Sequence, residues 1–219
     1  MYKELTNPLL VKRIKEGQKI KCGLFIARLQ PLHLAHLYII EKALSECDAL
    51  LIFLGSSNKS ETERNPFSAE LRLEMLNDAL KSRDYYDRIA IDSLPDWAGE
   101  SHSSTFGQWG HYLYYNAVSR MCVKNFTMYY CDAPEKVSGW FDEEVKGSVE
   151  MRFLDREGIF DGLSSTKVRE ALEKMGKEDI IYLRRYLPDS VFERIYSLSE
   201  IWRAVKSSPK ADFNINRAD

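Results

Sequence analysis

The sequence predicts an α/β fold: a parallel five-stranded sheet with helices on both faces, followed by a helical C-terminal extension. Three observations carry that expectation. Five short apolar runs, each bounded by polar or turn residues, read as buried strands. Longer segments with apolar residues at helical spacing lie between them, and strands alternating with helices mark a parallel sheet covered on both sides. The last third of the chain carries helical patterns alone.

Taken in order, residues 1–18 read as one helix ahead of the sheet. KIKCGLFIA (19–27) is the first strand and LAHLYIIEKALSE (34–46) the first covering helix. ALLIFLG (49–55) then pairs with a helix over 68–82, SAELRLEMLNDALKS, and RIAID (88–92) with GHYLYYNAVSRMC (110–122). NFTMYYC (125–131) and VEMRFL (149–154) are the last two strands, separated by a weaker helical pattern, EKVSGWFDEEV (135–145). Three helices follow, SSTKVREALEKM, KEDIIYLRRYL and DSVFERIYSLSEIWRAV, with Pro188 and Asp189 marking a break and a fresh helix start. The expected organisation is thus a sheet domain over 19–175, a helical extension over 176–206 and a polar tail over 207–219.

A chain of 219 residues with 44% hydrophobic composition can bury one substantial core. The formal net charge of −2 supplies no broad basic field, so nucleic acid is not an expected partner and any anion must be caught locally. The N-terminal stretch MYKELTNPLLVKRIKEGQ is charged throughout and lacks a signal peptide's apolar centre, and no apolar stretch approaches bilayer length. A cytoplasmic protein away from membranes is expected. Cys22, Cys47, Cys122 and Cys131 form no Cys-x-x-Cys pair and read as thiols rather than a metal or disulfide framework.

In an open parallel sheet, ligands bind beyond the carboxyl ends of the strands near the switch in strand order. The stretch GLFIARLQPLHLAH (23–36) falls there, with Arg28, His33 and His36 where the first strand gives way to the first helix. Two histidines three apart at a helix N-terminus can face one side, and with Arg28 they can donate to phosphate oxygens that the helix end already favours. Alternatively, His33 is a plain loop residue and His36 a satisfied helix-face histidine. A metal site lacks a third ligand at suitable spacing. GLSSTKVREAL (162–172) sets Ser164, Ser165 and Thr166 at a second helix start. They either cap that helix or join a phosphate site, and Lys167 and Arg169 in its first turn favour an anion nearby. GLFIAR is not Gly-x-Gly-x-x-Gly, which argues against a dinucleotide-binding dehydrogenase.

Together these stretches resemble the nucleotidylyltransferase superfamily with the His-x-Gly-His signature, of Rossmann-like fold, and most closely its archaeal-type nicotinamide mononucleotide adenylyltransferases. ARLQPLHLAH is similar to that family's first motif and SSTKVR to its second. GSSNKSETERNPFSAELRLEML (55–76) is similar to a third, and LPDW (94–97) with QWGHYLYY (108–115) to a looser fourth. The likeness runs from about residue 20 to 175.

The resemblance implies transfer of AMP from ATP to nicotinamide mononucleotide or a close relative such as nicotinate mononucleotide, with Mg²⁺ carried on the ATP phosphates and no protein metal site. His33, His36 and Arg169 would be the catalytic groups. ATP would also meet Phe25, Ile26, Arg28, Arg72, Ser164, Ser165 and Thr166, and the acceptor would meet Asn65, Asp96, Trp97 and Trp109. A solvated helix arginine at 72 and a core aromatic at 109 are the plainer alternatives. The chain departs from the pattern at Ala27 and Ala35, glycines in the family, and at Leu29, a phenylalanine there. A methyl at either glycine position would narrow the approach of substrate to backbone. These changes bear on the vigour of catalysis and the identity of the acceptor; the competing readings are cytidylyl transfer to another phosphorylated acceptor, against which SSTKVR and NPFSAELR count, and a nucleotide sensor without turnover. The aromatics of YLYYNAV serve either a core or a subunit interface of a homo-oligomer.

Overall fold

A computed structural model describes residues 3–96, 106–131, 134–137, 139–155 and 157–208. Its strands are β1 (Cys22–Ala27), β2 (Ala49–Leu54), β3 (Ile89–Ser93), β4 (Phe126–Tyr130) and β5 (Val149–Phe153). They form one sheet in the order β3-β2-β1-β4-β5, every pair parallel. The strand order reverses between β1 and β4, so a crevice opens beyond the carboxyl ends of those two strands.

The continuous apolar runs follow from burial on two faces. Phe25, Leu50, Ile52 and Leu54 enter one core, shared with α2 (Leu34–Glu46) and α3 (Ala69–Leu80). The alternate residues Cys22, Leu24, Leu51 and Phe53 enter the other, shared with α4 (Phe106–Met121). Successive side chains of a strand point to opposite faces, so a central strand covered on both sides must be apolar at every position. Ser68 starts α3 by accepting the Leu71 N–H on its Oγ at 3.3 Å. Gly110 lets α4 lie against the 140–141 segment: a Cβ there would stand 1.7 Å from the Trp140 carbonyl oxygen.

Four expectations are corrected. Residues 1–18 are not one helix: α1 covers only Pro8–Lys15, started by Asn7, whose Oδ1 accepts the Leu10 N–H at 3.1 Å. Proline is suited to a helix's first turn and not to its interior, which fixes the start there. Ahead of α1, Lys3 pairs antiparallel with Ile91 along the edge of β3, with bonds of 2.9 Å in both directions. The fourth helix begins at Phe106, ahead of the expected 110. The 135–145 pattern resolves into α5 (Pro134–Val137) and α6 (Glu143–Lys146), the latter restarted by an Asp142 cap.

The C-terminal part contains α7 (Glu157–Phe160), α8 (Ser165–Lys174) and α9 (Lys177–Tyr186). The helix expected over 189–205 is divided into α10 (Asp189–Phe192) and α11 (Ile195–Ser207). Arg194 holds the break, bonding back to the Ser190 carbonyl and reaching Asp78 of α3 at 2.6 Å. Leu183, Val191, Leu198 and Trp202 share one core with Leu73 and Leu76 of α3, so the extension packs into the body of the sheet domain. No helix among the described residues is long and apolar enough to cross a membrane.

Candidate active site

A cleft of about 280 Å³ lies beyond the ends of β1 and β4. The β1–α2 loop supplies one wall and the first turn of α8 another, while Tyr130, Cys131 and Trp140 line it from the β4 side. Two helix N-termini, those of α2 and α8, therefore converge where unpaired backbone N–H groups and helix dipoles favour an anion. No aspartate or glutamate is among the described residues lining it.

His33 is the residue capping α2, and His36 stands one turn into the helix. Their rings stack with centroids 3.7 Å apart and planes 21° apart. Sequence spacing alone predicts this shared facing. The His36 Nδ1 accepts the His33 backbone N–H at 3.3 Å, which leaves Nε2 as that ring's donor. His33 is fully buried, both ring nitrogens included, and His36 is 8% exposed; both residues line the cleft.

At the second helix start the cap is observed, and the neighbouring side chains bond within the protein. Ser164 caps α8, its Oγ accepting the Lys167 N–H at 3.3 Å, and Ser165 Oγ donates to the Pro31 carbonyl at 3.3 Å. Thr166 Oγ1 accepts from Arg169 Nη2 at 3.3 Å, while Arg169 Nη1 donates to the Gln30 carbonyl at 2.7 Å. Lys167 turns away to the Asp161 carbonyl. Burial, and then the nearby charge of Arg28, lower the Arg169 guanidinium pKa. Arg28 and Arg169 line the same cleft, whose described lining holds no carboxylate, a setting that favours an anion.

Sequence reading missed Gln30, the residue that ties the motifs together. Its buried side chain pairs reciprocally with the Phe67 backbone, Nε2 to the carbonyl and Oε1 from the N–H, both at 3.0 Å. Its own carbonyl accepts Arg169, so the β1–α2 loop, the Pro66–Phe67 segment and α8 are fastened at one residue. A polar amide between Leu29 and Pro31 was the available signal, since a buried amide must find partners. Trp140 was missed too, within a segment of weak pattern.

The structure does not bring Arg72 to the cleft. It is fully buried and donates to the carbonyls of Ser68 (3.1 Å), Arg28 (2.7 Å), Gly55 (2.9 Å) and Ser56 (3.1 Å), bracing the loops that follow β1 and β2. Burial and the charge of Arg28 push its guanidinium down to about 10. Nor do Asn65, Asp96 or Trp109 line the cleft formed by the described residues. The Asp96 carboxylate accepts Ser56 Oγ at 2.9 Å and pairs with Lys59 at 2.8 Å. Asn65 is buried, and Trp109 packs edge-on against Trp140 with centroids 6.0 Å apart, backing the ring that does line the cleft. Trp97 lies outside the described residues. Phe25, Ile26 and Ala27 line the cleft, whereas Ala35 is buried in the core.

The cytidylyltransferase-like family model matches residues 24–171, which contain every cleft element just described. The chain belongs to the cytidylyltransferase-like family. Among relatives of this cytidylyltransferase-like protein, the nicotinamide-nucleotide adenylyltransferase of Saccharolobus solfataricus is 44% identical over 75 residues, 34% of this chain and 44% of that one. The enzyme of the same name from Thermococcus onnurineus is 38% identical over 88 residues, 40% of this chain and 47% of that one. The match thus spans somewhat less than half the length of these relatives. Among solved structures, a bifunctional NMN adenylyltransferase/ADP ribose pyrophosphatase from Francisella tularensis, complexed with AMP and a Mn ion, superposes with a TM-score of 0.65 at 17% identity. The overlap covers 85% of this chain and 52% of that one. A NadR protein in complex with NAD and AMP-PNP superposes with a TM-score of 0.57 at 17% identity, covering 81% of this chain and 47% of the other. These likenesses fix the fold as α/β and Rossmann-like.

Proposed function

We propose that the chain transfers the adenylyl group of ATP to nicotinamide mononucleotide, or to a close relative such as nicotinate mononucleotide, releasing pyrophosphate. The observation that carries this reading is the convergence of His33, His36, Arg28 and Arg169 with two helix N-termini on one cleft free of carboxylates among its described lining. The names of the archaeal relatives favour the nicotinamide-type acceptor.

The chemistry asks little of the protein beyond placement and charge. The acceptor's phosphate is ionised at neutral pH, so one of its oxygens attacks the α-phosphorus directly and no general base is required. The bond from the α-phosphorus to the bridging oxygen breaks, and its electron pair leaves with pyrophosphate. His36 Nε2, the guanidiniums of Arg28 and Arg169 and the α8 N–H groups would hold the phosphate charge as it shifts toward the leaving group. Among the described residues no group of three or more His, Cys, Asp and Glu side chains is arranged to hold a metal. Mg²⁺ would enter on the triphosphate, shielding its charge, with the protein binding the phosphates. The reading places the protein among soluble, cytoplasmic enzymes that act on small nucleotides.

The test is to incubate the purified chain with ATP, Mg²⁺ and nicotinamide mononucleotide and to detect NAD and pyrophosphate by mass spectrometry. His36→Ala and Arg169→Ala should each lose about 10²–10³ in kcat while remaining folded. Wild-type turnover in either variant would remove the assignment. Tight Mg·ATP binding without product for nicotinamide or nicotinate mononucleotide would favour a sensor or another acceptor, and a preference for CTP would favour cytidylyl transfer.

A further inference from the structure

Arg169 is held from behind by the C-terminal extension. Its Cζ lies 5.4 Å from the ring centroid of Trp202 on α11, within the range in which a guanidinium is attracted to an indole face. Trp202 is 6% exposed, and its Nε1 has no hydrogen-bond partner among the described residues, so the face of the ring is what this side chain offers Arg169. Helix α11 is itself locked to α8: Ser199 Oγ donates to the Leu172 carbonyl at 2.6 Å, and Arg203 donates to the Glu173 carbonyl at 3.0 and 2.7 Å. The ring is therefore fixed relative to the helix that carries Arg169. In front, the guanidinium has the Gln30 carbonyl and Thr166 Oγ1, while its Nε has no partner among the described residues. The charge of Arg28 acts on it across the cleft.

We infer that Trp202 is a positioning residue for phosphate binding, its indole face holding the Arg169 guanidinium at the cleft before the nucleotide arrives. The inference rests on the reading of Arg169 as a phosphate ligand. A preset cation spares the binding step the ordering of a flexible side chain, and the ring keeps Arg169 in place against Arg28 while the cleft holds no anion. Trp202 lies beyond residues 24–171, so its role is not part of what the family match covers.

The test is a double-mutant cycle of Trp202→Leu and Arg169→Ala, read by Mg·ATP affinity in calorimetry and by kcat and KM for dinucleotide formation. Trp202→Leu should weaken Mg·ATP binding about tenfold in the wild-type background and change little once Arg169 is gone. Trp202→Phe, which keeps a ring face, should recover most of the loss, and Trp202→Met takes the leucine variant's place in the cycle if that one does not fold. Equal losses with and without Arg169 would overturn the inference, because a residue that merely packs acts independently of it. Coupling in Mg·ATP affinity without dinucleotide formation keeps the inference and removes adenylyl transfer to the tested acceptors. Dinucleotide formation with additive losses does the reverse.

Discussion

Replacing Arg72 by methionine separates two roles that a buried guanidinium near a phosphate cleft can have. In the structure it donates to four carbonyls, three of them in the loops after β1 and β2, and presents no group to the cleft. Methionine keeps much of the volume and none of the donors. Leaving a buried acceptor unpaired costs about 1–3 kcal/mol, so three loop carbonyls with partial relaxation give about 4 kcal/mol in all. For a chain of this size that is a fall in Tm of about 8–16 °C. The assay pairs scanning calorimetry without ligand with Mg·ATP titration at about 10 °C, where the variant remains folded. Tm should fall by that amount, with Mg·ATP affinity at the low temperature kept within about tenfold of wild type. An unchanged Tm together with loss of Mg·ATP binding would refute the reasoning and return Arg72 to the phosphates.

Three further outcomes are expected. Gly110→Ala puts a methyl against the Trp140 carbonyl, so α4 or the 140–141 segment must shift; at about 1–3 kcal/mol for such overpacking, scanning calorimetry should show Tm lowered by about 2–12 °C. Gln30→Met removes both side-chain bonds to Phe67, at about 1–3 kcal/mol for each orphaned backbone group, and thermal unfolding should show it even without nucleotide. Burial pushes the Cys22 and Cys47 thiols up to about 12, so both stay protonated at pH 8 and native protein should take iodoacetamide at exposed Cys122 and at neither of them. Peptide mass spectrometry reads the sites, and Mg·ATP should slow any labelling of Cys131, which lines the cleft.

The sheet was legible because its strands are buried on both faces: ALLIFL can be little else than a central strand, and LAHLYIIEKALSE matches α2 residue for residue. Where side chains reach across the chain, the sequence was mute. The break at Arg194 depends on Asp78, 116 positions away, and no local pattern signals it. The same holds in the site. The stacking of His33 on His36 follows from their spacing, and the position of Arg28 and Arg169 at the cleft from their places just after β1 and in the first turns of α8. The role of Arg72 turns on which carbonyls surround it, and that of Gln30 on a backbone segment 37 residues on. Ala35 looked like an obstruction because its glycine counterpart sits between two histidines; on the helix its methyl points into the core instead.

The short antiparallel contact of Lys3 with Ile91 has a practical side. It occupies the backbone groups of β3 at a sheet margin where Ile89 and Ile91 are fully buried. Shortening the chain past residue 7 would strip that margin and leave a bare strand able to recruit another copy. Expression of such a trimmed version should yield aggregates, so purification tags belong on the C-terminal side.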